Sequence, residues 1–134
     1  MSIEKQKQQI KAYFQVWLDR DIKALNQIFS KNVYYAECMG PEYRGLYQVE
    51  EWIKTMFNKQ VVLKWDIHEM IPSLDQKQMT VSWTFSGEED KVYTFDGISL
   101  IKFDEEDRIL SIMEYEALHD KEIPKYLKEL THGI

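Results

Sequence analysis

A single cysteine, Cys38, leaves no partner for an internal disulfide and no paired thiolate spacing for a structural zinc site, which fits a reducing compartment. Three prolines and five glycines in 134 residues are too few for a collagen-like or low-complexity chain. No run approaches the roughly 20 apolar residues that a bilayer-spanning helix needs. The first ten residues, MSIEKQKQQI, lack the apolar core of a secretory signal, so a cytoplasmic location is expected. Positive charge is also short: 17 Lys and Arg stand against 23 Asp and Glu, a net charge of -6, which disfavours nucleic acid and acidic membrane surfaces as partners. The histidines His68, His119 and His132 show no metal-ligand spacing, and there is neither a glycine-rich phosphate loop nor a nucleophile elbow. No metal and no cofactor are expected. What the chain does have is 44% hydrophobic residues, 13% aromatic residues and 30% charged residues, enough for one folded domain over residues 1–134.

Apolar residues Ile10, Tyr13, Phe14, Trp17 and Leu18 form one stripe of an amphipathic helix from Ile3 to Leu18. Asp19-Arg20-Asp21 interrupts it, and an Asp cap predicts a second helix with Ile22, Leu25, Ile28 and Phe29 inward, closed by Ser30-Lys31-Asn32. The run Val33-Tyr34-Tyr35 opens a first strand that places Glu37 at its end. A Gly40-Pro41 turn follows, then Tyr43 to Gly45, then a third helix carrying Leu46, Val49, Trp52, Ile53, Met56 and Phe57 and ending near Asn58-Lys59. Strand, loop and helix therefore meet at one acid, a natural mouth for a pocket.

The period then changes to two. Val61, Leu63, Trp65 and Ile67 predict the apolar face of one strand, and Met79, Val81, Trp83 and Phe85 that of the next. A return strand runs from Lys91 to Phe103 and a last one from Arg108 to Ala117, joined by turns at Gly87-Glu88-Glu89-Asp90 and Asp104-Glu105-Glu106-Asp107, so an antiparallel meander is expected. Residues 121–134 form a tail with a short helix that has Pro124 in its first turn.

Three stretches carry a resemblance covering roughly residues 8–117: DRDIKALNQIFSKNVYYAEC, EYRGLYQVEEWIKTMF and SLIKFDEEDRILSIMEY. They resemble, in turn, the helix, polar break and first strand, the xGxxxIxxF helix start, and the hairpin with an acidic turn of the SnoaL-like, ketosteroid-isomerase-like branch of the nuclear transport factor 2 superfamily. The resemblance implies an α+β fold, a cone-shaped barrel of three helices from the N-terminal half packed on a strongly curved antiparallel sheet. It also implies a small-molecule ligand in the cone and a homodimer formed through the outer face of the sheet, for which the strands bearing Trp83 and Tyr93 leave apolar surface.

Active isomerases of this kind use a carboxylate at the end of the first strand to move a proton, with a helix-one tyrosine and an acid on a later strand to stabilise the oxyanion. By position these roles fall on Glu37, Tyr13 and Ser99, so the third is a departure: a serine hydroxyl is a weaker acid than a protonated carboxyl, and Asp96 lies on the other face of the strand. From the residues themselves, Glu37 is either a base with a pKa raised by an apolar pocket or a solvated strand end. Tyr13 is either an oxyanion donor or a core tyrosine bonded to a backbone carbonyl. Candidate pocket walls are Trp17, Trp52, Phe57, Trp65, Trp83 and Phe95. On the last strand Leu110, Ile112, Glu114 and Glu116 share a face, which, if it points inward, adds two acids at the mouth and a site that holds a proton or a cationic ligand. The function expected is a small-molecule pocket protein, an acid–base isomerase, cyclase or dehydratase on an apolar cyclic substrate; the alternative is a non-catalytic binder or dimeric scaffold of the same fold.

Overall fold

The computed structural model describes residues 1–132, the side chains of Thr131 and His132 excepted, so the expectation for His132 and the last two residues of the tail lie outside the described part. Helix α1 spans Ile3–Asp19, capped by the Ser2 hydroxyl at Lys5 N and closed by Arg20 in the left-handed region. A single turn, α2 (Leu25–Ile28), leads into β1 (Phe29–Ala36). Then come β2 (Glu42–Arg44), α3 (Leu46–Phe57), β3 (Val61–Pro72), β4 (Gln78–Glu88), β5 (Val92–Phe103), β6 (Ile109–Leu118) and α4 (Lys125–His132).

The six strands form one sheet in the order β2-β1-β6-β5-β4-β3, antiparallel throughout except that β1 runs parallel to β6. The helices α1 and α3 close one side of the curved sheet. The stripe foreseen for α1 is buried except for the half-buried Leu18, with Phe14 stacked on Trp65 at 4.0 Å between ring centroids and Trp17 edge-on to Trp52 at 5.3 Å.

Three expectations need correction. The second helix is only one turn long, because Asp21 accepts a hydrogen bond from Lys23 N in a local turn and Phe29 already pairs with Ile109 in the sheet. On β3 the extra residue Leu63 between the pairs Val62–Gly87 and Lys64–Ser86 is a bulge, so Val62 and Trp65 are buried while Val61 and Leu63 are exposed. On β6 the pairs Phe103–Ile109 and Lys102–Ser111 leave Leu110 as the extra residue; it turns outward and Ile109 and Ile112 turn in. Each bulge bends its strand, and the bends let strands of up to 12 residues wrap around the helices.

Candidate functional site

Between the helices and the inner face of the sheet lies a cavity of about 390 Å³. All four tryptophans, Trp17, Trp52, Trp65 and Trp83, line it together with Phe85, Tyr93, Phe95, Met39, Met56, Cys38 and Gln60. Its ionisable lining consists of Glu37, Glu114 and Glu116, plus the thiol and the tyrosine.

Glu37 follows directly on β1. Strand alternation carries Val33 and Tyr35 inward and puts Glu37 on the same side. The antiparallel pairing of Tyr35 with Tyr43 brings β2 alongside, and the Tyr43 hydroxyl donates to Glu37 Oε2 at 2.5 Å. Tyr43 is held in place by stacking on Trp52 at 4.8 Å. Burial raises the Glu37 pKa above the ordinary carboxylate range, and the Tyr43 hydrogen bond opposes that rise.

Glu114 reaches the cavity from β6. The β5–β6 register sets it opposite Ser99, whose hydroxyl donates to Glu114 Oε2 at 3.3 Å while accepting from Trp83 Nε1 at 2.9 Å. The Tyr35 hydroxyl, close to the Glu114 carboxyl, acts to lower its pKa, and the Tyr13 hydroxyl donates to that of Tyr35 at 2.7 Å. Two relays, Tyr13 through Tyr35 and Trp83 through Ser99, therefore converge on one carboxyl. Burial pushes its pKa up to about 8; the Tyr35 and Ser99 hydrogen bonds pull down, and the nearby Glu37 charge adds to the rise. Both relay tyrosines are fully buried, which holds their hydroxyls protonated.

Of the residues singled out in the sequence, Glu37, Trp17, Trp52, Trp65, Trp83, Phe95, Glu114 and Glu116 come together on the cavity. Tyr13, Ser99 and Ile112 stand fully buried outside its lining, the first two linked to it through Tyr35 and Glu114. Phe57 packs edge-on against Trp17 and under the Arg20 guanidinium, outside the lining as well. The backbone carbonyl considered as a partner for Tyr13 is replaced by the Tyr35 hydroxyl. Asp96 lies on the outer face, bonded to Thr84 and His119, which hold its pKa down to about 2. His68 is exposed and bonds Thr84.

Sequence reasoning missed Tyr35 and Tyr43. The alternation Val33, Tyr35, Glu37 was a usable signal for the first; the second depends on pairing of the short β2, which no local pattern marks. It also missed Gly97, over which the Trp83 ring lies so closely that a Cβ there would fall 2.2 Å from the indole.

A curved open sheet wrapped on helices, with acids facing an apolar cavity between them, defines the cone-shaped α+β class typified by nuclear transport factor 2. The chain belongs to the SnoaL-like domain family, whose model matches residues 10–112. No curated protein matches the sequence. Among solved structures, a provisionally assigned isomerase of Bacillus subtilis is similar at a TM-score of 0.77 and 17% identity, covering 100% of this chain and 98% of that one. An LEH-like epoxide hydrolase of M. tuberculosis gives 0.75 at 12% identity, covering 85% and 79%. A provisionally assigned polyketide cyclase of Pseudomonas putida gives 0.73 at 15% identity, covering 86% and 93%. At these identities the likeness is one of fold. Among the described residues no helix is long and apolar enough to cross a membrane, and no group of three His, Cys, Asp or Glu could hold a metal ion.

Proposed function

We propose that the cavity is the active site of an acid–base enzyme of the isomerase, cyclase or dehydratase type, acting on an apolar cyclic substrate through its own side chains. One observation carries this reading: two carboxyls in different environments, Glu37 and Glu114, face the same apolar cavity. A pair of acids set apart by their surroundings supports one as base and the other as acid. Glu37, half-buried and bonded by Tyr43, takes the proton. Glu114, which burial keeps protonated at pH 7, donates a hydrogen bond to the developing oxyanion. It fills the role that the family resemblance assigned to position 99, with Ser99 as its support from the next strand. The aromatic walls orient a ring and keep water out. The isomerase, epoxide hydrolase and cyclase descriptions of similar structures are compatible with proton transfer in such a site.

Turnover of a panel of β,γ-unsaturated cyclic ketones, epoxides and cyclisable polyketide analogues tests the reading. Any activity found is expected to fall by about 10²–10⁴ in Glu37→Gln with the fold intact, the range for loss of a general base. Activity that survives both Glu37→Gln and Glu114→Gln places the chemistry elsewhere. A ligand that co-purifies and is released unaltered favours the binding-protein alternative.

The exposed apolar side chains Ile98, Leu100, Met113 and Tyr115 on the outer face of β5 and β6 favour, in addition, a homodimer through that face. A monomer in sedimentation at high concentration refutes it.

A further inference from the structure

The charge of the cavity lining is one-sided. Glu37, Glu114 and Glu116 face it, and among the described residues no Lys, Arg or His does. The basic groups that could have balanced them are engaged elsewhere: Arg20 donates to the Phe57 and Gln60 carbonyls, Arg44 pairs with Glu42, and Lys121 pairs with Asp96 on the outer face. The groups that do bond the carboxyls, Tyr43, Tyr35 and Ser99, are neutral hydroxyls. At Cys38, on the same wall, burial pushes the thiol up to about 12, and all three glutamates add to the rise, so their fields overlap inside one space.

An apolar neutral ligand explains the aromatic walls and the proton-transfer roles of Glu37 and Glu114, but it leaves Glu116 and the one-sided negative charge of the lining without a use. An anionic ligand meets repulsion with no counter-charge. A cation satisfies both halves of the lining, since its charge is attracted to the Glu37 and Glu116 carboxylates and to the negative faces of the indole rings. Resting on the reading of this cavity as the ligand site, we infer that its substrate or ligand is an apolar ammonium cation, a ring or short alkyl skeleton bearing a tertiary or quaternary amine. The volume of about 390 Å³ lies in the range of small-molecule sites and admits such a skeleton.

Because all four tryptophans line the cavity, their fluorescence reports occupancy directly. The test titrates the wild-type protein at pH 7 with benzyltrimethylammonium, with neopentylbenzene, in which carbon replaces the charged nitrogen, and with phenylmethanesulfonate. The ammonium is expected to bind at least about tenfold more tightly than its carbon isostere, within the reach of cation–π and carboxylate attraction combined, and the sulfonate to give no saturable change. A Glu37→Gln, Glu116→Gln double variant, its fold checked by near-ultraviolet circular dichroism, is expected to lose most of that preference while holding the isostere as before. Equal or tighter binding of the isostere, or of the sulfonate, overturns the inference and leaves the pocket reading standing. Absence of saturable change with all three probes overturns both.

Discussion

Replacing Glu114 by Gln should change how stability depends on pH more than it changes stability at low pH. The side-chain amide has nearly the shape of the neutral carboxyl, and it still offers an oxygen to the Ser99 and Tyr35 hydroxyls. The carboxyl is neutral below its folded pKa of about 8 and, in the unfolded chain, ionises near its ordinary 4.5. Between those values the folded state binds more protons than the unfolded one. Stability from the buried neutral acid is therefore fully present below pH 4.5 and is lost as pH rises to about 8. At about 1.4 kcal/mol per tenfold change in proton activity, the wild type should lose about 4 kcal/mol relative to Glu114→Gln between pH 5 and pH 9. Urea denaturation of both proteins across that interval measures it, and groups common to the two cancel in the difference. Parallel stability curves would refute the placement of a proton on Glu114.

Further outcomes follow from neighbouring features. Gly97→Ala puts a methyl group 2.2 Å from the Trp83 ring, so the indole must move, breaking its hydrogen bond to Ser99; probe binding should weaken together with a loss of about 1–3 kcal/mol, read by fluorescence and by thermal unfolding. Asp107 accepts from Ser2 N at 2.9 Å and Gln6 Nε2 at 3.0 Å while holding a positive φ, so Asp107→Ala should cost about 2–4 kcal/mol and loosen the start of α1, seen as faster amide exchange there.

The fold was legible where a pattern is local. The alternation of Met79, Val81, Trp83 and Phe85 survives intact because β4 is a central strand whose residues pair one for one with β5. The phases of β3 and β6 were misread because Leu63 and Leu110 are bulges, and a bulge is decided by which residue on another strand lies opposite. For the same reason the inward turn of Ile112, Glu114 and Glu116 could be posed only as a condition, and Leu110 did not share it. Glu37 was readable from its position after a strand. Its partner Tyr43 and the convergence of Tyr35 and Ser99 on Glu114 were hidden, since each depends on strand pairs formed by segments far apart in the chain.

The parallel pairing of β1 with β6 has a consequence for the life of the chain during synthesis. Tyr35 lies beside Ile112 and Ala36 beside Met113, so the surroundings of Glu37 and Glu114 are assembled from the first third and the last quarter of the polypeptide. A nascent chain stalled before residue 109 contains Glu37, Tyr13 and all four tryptophans, yet lacks the strand that supplies the second acid. Contacts this distant in sequence form late and slowly. The cavity would then be completed in one step near the end of translation, and truncation of β6 would remove Glu114 and Glu116 from its wall together.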